Sequence, residues 1–284
     1  MTRSLDHFII LVRNLDTAIT VYQRLGFNAR PAAQHVEIGS RNSVVIFDHT
    51  YLELLDLTTT RSQAVKDDYL GRFVAGEGIT HVALTSAKLE PDMDSLASQG
   101  VQVGTLLNAR RKIRMPSGED DETASRSVYF WRDHNRYLSL FLSDHPKPHT
   151  IFIPEYNNHA NSARRVVRLA YMSRDPLADI PYFRTLFGAE PTAVSADGFS
   201  MTGARGDVTD VLTVEAAQRR YGPFLTVQGL STLAGVGIAF HYKVESLAEC
   251  ESYFQRTGVL HERRNGKVFV PASEGCGAIS VFES

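Results

Sequence analysis

Two histidines and one glutamate stand in short apolar segments where polar side chains are unusual. His7 lies in the run LDHFIIL, His81 in GITHVAL, and Glu53 in YLELLDL. The histidines occupy equivalent positions of similar segments, and a carboxylate on an apolar strand needs a hydrogen-bonding or ionic partner. Imidazole and carboxylate groups bind divalent metals, and they also bind ligands by hydrogen bonds. A purely structural role in the core is the third alternative for these residues.

The composition is that of an ordinary globular protein. Of 284 residues, 43% are hydrophobic and 22% are charged, which argues against a disordered chain. The formal net charge is -2, so the chain does not have the excess of basic residues that is typical of nucleic-acid-binding proteins. Two cysteines are too few for a disulfide framework. Because neither a signal peptide nor a spanning apolar run is visible, we expect a cytoplasmic protein that does not bind membranes.

A repeated pattern organises the elements that must position these side chains. Each repeat has a short apolar strand, a turn and an amphipathic helix, followed by further strands. The four copies begin over residues 5–27, 78–101, 166–190 and 237–259. The pattern predicts an α+β fold of four βαβββ units.

Helix boundaries can be predicted from capping residues. Asn14 or Asp16 is expected to begin the first helix, and Gly26 to end it. The third helix is predicted to run from Asp175-Pro176 to Gly188, and the fourth from Glu245-Ser246 to Gly258.

Two segments break the repeat. Residues 108–127 are polar and charged, which is typical of a solvated surface loop or of a mobile cover over a pocket. Residues 146–163 are rich in Pro, Asn and His and are the predicted linker. This division gives an N-terminal domain over residues 1–145 and a C-terminal domain over residues 164–284.

The tandem units resemble the vicinal oxygen chelate superfamily, which includes glyoxalase I, extradiol dioxygenases and bleomycin-resistance proteins. The N-terminal stretch is similar to its glyoxalase-like domain branch. The similarity rests on DHFIILVRNLDTAITVYQRLGF, His35, GSRN at 39–42, YLELLDL at 51–57 and IPEYNNHANSA at 153–163. The resemblance implies that two units pair into one cupped mixed β-sheet, and that a metal or ligand lies in the cup.

The resemblance also implies a ligand set. Superfamily positions on the first and last strands of the paired units correspond to His7, Glu53 and His81, with Ser139 in the fourth place. These residues would hold a divalent metal ion such as Zn, Fe, Mn or Ni. Serine cannot serve as the proton-shuttling carboxylate of glyoxalase I, so that activity is not expected. The dioxygenases of the superfamily take the carboxylate that binds the metal from the second unit, whereas Glu53 lies in the first unit. This difference argues against a dioxygenase of that type.

Further residues are expected to contact a substrate in the N-terminal cup. They are Ser139, His35, Asn42, Tyr129, Trp131 and His159. Core packing is the alternative for the aromatic side chains, and helix capping or domain contact is the alternative for His159. Aligning each of the last two units with the first places Arg168 and Ala239 where His7 stands. The C-terminal half is therefore expected to be a supporting or dimerisation domain, or else a lid.

These observations favour a metal-dependent lyase, isomerase or dioxygenase acting on a small oxygen-bearing molecule. A metal-free protein that binds or sequesters a small ligand is the alternative. A homodimer is a further expectation.

Overall fold

The computed structural model describes residues 1–61, 76–130, 139–226 and 235–284. Sixteen strands and five α-helices lie within these ranges. The first unit comprises β1 (Leu5–Leu11), α1 (Leu15–Arg24), β2 (Ala33–Gln34), β3 (Arg41–Ile46) and β4 (Tyr51–Asp56). The second comprises β5 (Gly78–Thr85), α2 (Leu89–Ser98), β6 (Val103–Arg114), β7 (Asp120–Phe130) and β8 (Ser139–Asp144).

The last two units repeat this order with one added helix. The third comprises β9 (Ala163–Ser173), α3 (Pro176–Phe187), β10 (Ala193–Ser195), β11 (Gly198–Thr202) and β12 (Val208–Leu212), followed by α4 (Val214–Tyr221). The fourth comprises β13 (Gly235–Val244), α5 (Leu247–Thr257), β14 (Glu262–Arg264), β15 (Lys267–Val270) and β16 (Ile279–Glu283). The predicted α+β fold of four βαβββ units with a mixed β-sheet is therefore confirmed, and the strands of all four units belong to one sheet.

Capping residues begin and end the helices as predicted. The side chains of Asn14, Asp175 and Ser246 accept hydrogen bonds from backbone N–H groups three residues ahead. Gly188 and Gly258 end α3 and α5 in the left-handed conformation, with φ of 66° and 67°.

The first two units pair along β1 and β5, which run antiparallel. From this seam the sheet continues through β4, β3 and β2 on one side and through β8, β7 and β6 on the other. The two outer edges approach each other, and a single bridge joins His35 to Arg111. The N-terminal sheet therefore curls into a cup whose two edges meet at one point.

The two halves share one hydrophobic core. Side chains alternate along β1, so that Phe8 and Ile10 face this core while His7 and Ile9 face the cup. The rings of Phe8 and Phe240 are 4.9 Å apart, and residues of α1, α3 and α5 belong to the same cluster. Gly237 of β13 pairs with Ile79 of β5, which links the two cups into one sheet.

The predicted surface loop over residues 108–127 is wrong. This segment belongs to the antiparallel hairpin of β6 and β7, with a turn around Gly118. Charged cross-strand neighbours such as Arg114 and Asp120 stabilise the ribbon where it leaves the core. The segment is polar because the hairpin is exposed to solvent. Composition alone does not distinguish such an exposed hairpin from an irregular loop.

The C-terminal cup is filled by its own chain. Ala216, Ala217 and Tyr221 of α4 pack with Phe224 and Phe269 in an apolar cluster that includes inward residues of β9, β13 and β16. Among the described helices, none is long and apolar enough to cross a membrane.

Candidate functional site

A cavity of about 70 Å³ lies in the N-terminal cup. Its polar wall includes His7, His35, Asn42, Glu53 and Arg111. The apolar wall is formed by residues of β1, β3, β4, β6, β7 and β8, among them Ile9, Val44, Leu55, Leu107, Tyr129 and Phe141. This combination of a mostly apolar wall with a few convergent polar groups is typical of small-molecule sites.

The predicted site residues fall into three groups. His7, Glu53, His35, Asn42 and Tyr129 line the cavity. His81 and His159 are buried but do not line it. Ser139 pairs with His81 through the backbone, while its side chain, like the whole of Trp131, lies outside the described part of the chain.

A hydrogen-bonded cluster supports His7 from behind the cavity wall. Asp6 Oδ1 lies 2.7 Å from His7 Nδ1 and 2.7 Å from His145 Nε2. All three residues are shielded from solvent, with side chains 5 to 7% exposed. The register of β1 against β5 shifts between Leu5 and His7. This bulge lets the adjacent side chains of Asp6 and His7 meet, which plain alternation would prevent.

The contacts within the cluster stabilise the charged forms of Asp6 and His145. Burial tends to raise the pKa of Asp6, but His145 and His7 outweigh it and hold that pKa well below its ordinary value. Burial tends to lower the pKa of His145, but the Asp6 carboxylate outweighs this effect and the pKa is raised. The geometry therefore favours an ionised Asp6 between two imidazoles.

His7 is also fixed by its aromatic neighbours. The Tyr51 ring stacks on it at 4.4 Å with an interplanar angle of 7°, and Phe141 meets it edge-on at 5.2 Å. Burial raises the pKa of Tyr51, so the phenol stays protonated. The Nε2 atom of His7 makes no hydrogen bond within the described residues, which leaves it as the imidazole's open nitrogen.

A second polar group forms the opposite side of the cavity. Asn42 Nδ2 donates a hydrogen bond of 2.7 Å to Glu53 Oε1, and His35 Nε2 lies 3.7 Å from the same oxygen. His35 Nδ1 contacts Ser40 Oγ at 2.9 Å. Burial lowers the pKa of His35, although the Glu53 carboxylate opposes this shift. Glu53 is thus partnered without an ion.

His81 lies under an aromatic cover. Its ring is fully buried and meets Tyr129 at 5.7 Å and Phe141 at 6.4 Å. Its Nδ1 is 3.0 Å from Thr80 Oγ1. His81 is therefore not part of the cavity wall that His7 and Glu53 share.

His159 joins two segments of the N-terminal half. Its Nδ1 accepts a hydrogen bond from the backbone N–H of Asn28, and its Nε2 donates one to the carbonyl of Ile46, both at 2.9 Å. The ring packs between Phe27 and Phe47. Burial lowers its pKa to about 4.

The donor chemistry of the supporting cluster fits a divalent cation. Within the described ranges, the one group of three or more metal-binding side chains whose ligand atoms lie within 4.8 Å of one another is Asp6, His7 and His145. Two imidazoles and a carboxylate suit Zn, Fe, Mn or Ni. A cation would replace the protons that now join the two rings to Asp6, so its affinity must fall at low pH.

Sequence reasoning missed Asp6, His145 and Arg111. A signal exists for the first two, since an Asp-His dipeptide occurs both in β1 and at the end of β8, where Asp144 is the last residue of the strand. Arg111 lies in the segment whose composition predicts a surface loop or a cover. Its place in a strand depends on the pairing of β6 with β7.

The C-terminal cup carries a different polar set. Arg168, aligned with His7, binds Asp210 at 2.7 Å, and Tyr221 Oη lies 2.8 Å from His241 Nε2. His241 Nδ1 is 3.5 Å from Glu283, a carboxylate of the last strand that the sequence analysis overlooked. The neighbouring His241 ring is the main cause that lowers the pKa of Glu283, to about 2, and Lys267 adds to the shift.

Comparison with known proteins is consistent with this architecture. A family model described as a glyoxalase-like domain matches residues 5–181. A hypothetical protein from Staphylococcus aureus is similar in structure, with a TM-score of 0.68, 12% identity and 98% coverage of both chains. A 4-hydroxymandelate synthase variant from Streptomyces coelicolor has a TM-score of 0.58 and 8% identity, over 99% of this chain and 92% of that one.

A methylmalonyl-CoA epimerase variant from Streptomyces coelicolor, in complex with 2-nitronate-propionyl-CoA, matches a smaller part. The alignment covers 50% of this chain and 94% of the epimerase, with 24% identity and a TM-score of 0.37. No match was found among curated proteins.

Proposed function

The chain belongs to the glyoxalase-like domain family, and from this premise we propose that its N-terminal cup is the active site of a metal-dependent enzyme. The substrate is a small oxygen-bearing molecule, and the reaction is of the lyase, isomerase or dioxygenase type rather than that of glyoxalase I. A cytoplasmic location and a homodimer are parts of the same proposal.

One observation carries the proposal. His7 lines the cavity and is at the same time one of three metal-binding side chains that converge behind the wall, with Asp6 and His145 as the others. This set differs from the predicted set of His7, Glu53 and His81, and shares only His7 with it. Asp6, His7 and His145 would hold the ion beside the cavity, where it would supply Lewis-acid chemistry at the His7 side of the cup.

The protein's own residues orient the polar groups of the cavity. Asp6 fixes the orientation of the His7 ring through Nδ1, which leaves Nε2 as the nitrogen that makes no hydrogen bond among the described residues. Asn42 holds the Glu53 carboxylate at 2.7 Å on the other side. Ile9, Leu55 and Phe141 limit the access of water, which strengthens the polar contacts inside.

The proposal is tested by measuring metal binding of the wild type and of His145→Gln. Protein without a histidine tag, reconstituted with Zn²⁺ or Mn²⁺, is expected to retain one ion per chain, and the variant is expected to bind it at least about tenfold more weakly. His149→Gln is the matched control because His149 is exposed. A wild type that retains no ion, or equal affinity in all three proteins, would contradict the metal site.

A metal-free binding protein is the second candidate. It is favoured by the two hydrogen bonds of 2.7 Å, which satisfy Asp6, His7 and His145 without an ion. Thermal-shift measurements with small metabolites, with and without chelator, distinguish the two candidates. Stabilisation by an unreacted ligand that is insensitive to chelator would favour the binding protein.

A further inference from the structure

Arg111 is a buried cation that has no ionic or hydrogen-bonding partner for its guanidinium among the described residues. It is 8% exposed, and among the described residues it is the one buried arginine. No carboxylate or other acceptor in the described part of the chain forms an ion pair or hydrogen bond with its guanidinium. The less buried arginines Arg3 and Arg168, by contrast, bind Asp92 and Asp210.

This arrangement is costly for the unliganded protein. Burial lowers the pKa of Arg111, which Glu53 and Tyr51 only partly oppose, and nearby Arg30 adds a like charge. Arginine nevertheless remains protonated in proteins. A buried charge that lacks a counter-ion destabilises the fold. Glu53 does not relieve this cost by direct pairing, because its contacts are with Asn42 and His35.

The position of Arg111 shows where a counter-ion can enter. Arg111 lines the cavity and also an adjoining groove of about 700 Å³, which shares Val44 and Ile151 with it. A second residue of the same wall has a buried polar atom without a partner among the described residues. Asn42 is 2% exposed, and its Oδ1 accepts no hydrogen bond in the described structure.

We propose that the N-terminal cavity binds a small hydroxy-carboxylate, with its carboxylate on Arg111 and its hydroxyl donating to Asn42 Oδ1. The planar guanidinium matches a carboxylate through two parallel hydrogen bonds. The orphaned amide oxygen requires a donor, which a hydroxyl provides. The cavity of about 70 Å³ admits only a few heavy atoms, so any larger part of the ligand lies in the groove.

This inference rests on the proposed function only in placing the ligand in the N-terminal cup, and it does not depend on the metal. It is tested by calorimetric titration of resin-stripped, metal-free protein with glycolate and with glycolamide, its neutral counterpart. Glycolate is expected to bind at least about tenfold more tightly, as a charged hydrogen-bonded pair implies. Equal affinity for the two probes would overturn the proposal.

Arg111→Met is the decisive variant. It is expected to lose the preference for glycolate over glycolamide, and without ligand its unfolding temperature should be no lower than that of the wild type. Arg110→Met is the control, since the adjacent Arg110 is half exposed and paired with Glu37. Retained preference in Arg111→Met, equal loss in the control, or unfolding of Arg111→Met would contradict the assignment. Because metal is absent throughout, failure here leaves the proposed metal site untouched.

Discussion

At the scale of single residues, histidines that look alike in sequence have different environments. His7 is open to a cavity through one nitrogen, whereas both nitrogens of His159 are occupied by the backbone. Strand alternation is sufficient to expect His7 and Glu53 on an inner wall. It is insufficient for Asp6, because a bulge cancels the alternation at that point. The assigned roles of these residues in binding stay predictions.

His159 predicts a specific pH dependence of stability. Its pKa falls from 6.5 to about 4 on folding, so the unfolded chain binds more protons between these values. The stabilising contribution is fully present above pH 6.5 and is lost as the pH falls toward 4, by roughly 3 kcal/mol over the window.

Urea unfolding between pH 7.5 and 4.5 measures this contribution. His159→Gln should be less stable than the wild type at pH 7.5, because it cannot satisfy both backbone partners. The difference from the wild type should shrink as the pH falls. The control variant His149→Gln, at an exposed position, should have the same pH dependence of stability as the wild type. If the stability difference between His159→Gln and the wild type does not change with pH, the lowered pKa of His159 is refuted.

At the scale of elements, helices follow local signals, whereas the edges of the cups depend on contacts distant in sequence. Caps such as Asn14 and Ser246 act within one turn, so α1 and α5 are predictable. The hairpin of β6 and β7 is not, since its charged residues carry no apolar alternation and are ordered by pairing. The filling of the C-terminal cup by α4 depends likewise on tertiary packing.

A glycine at the junction of the two halves gives an element-scale prediction. Gly277 has a φ of 84°, and a Cβ there would lie 1.9 Å from the carbonyl oxygen of Glu77. Gly266 has a similar φ of 74° but open space around it. Gly277→Ala should therefore reduce the free energy of unfolding by about 2 kcal/mol or more beyond the loss in Gly266→Ala. Chemical denaturation of both variants tests this. Equal losses of unfolding free energy would show that the backbone around Gly277 and Glu77 moves to make room for the added methyl group.

At the scale of the whole molecule, one core joins two cups with unequal interiors. The N-terminal cup keeps a cavity, and the C-terminal cup is packed with side chains of its own helix. The sequence repeat predicts the duplication because each unit repeats the same pattern of apolar positions. It cannot reveal that Phe8 and Phe240 meet, since that contact links separate halves. The division at residues 146–163 stays a prediction.

The shared core predicts cooperative unfolding. Calorimetry of the wild type should show one transition, with a calorimetric enthalpy equal to the van't Hoff enthalpy. Phe240→Ala should lower the stability of the whole chain by about 3 to 5 kcal/mol, because it empties a fully buried site. Two transitions, of which only one responds to Phe240→Ala, would show that the halves unfold independently.

The position of a bound ion tests the central claim most directly. Crystals grown with Zn²⁺ and measured at its absorption edge should show an anomalous peak at about 2.0 to 2.2 Å from ligand atoms of Asp6, His7 and His145. A peak between His7, Glu53 and His81, or no peak in the N-terminal cup, would contradict the account.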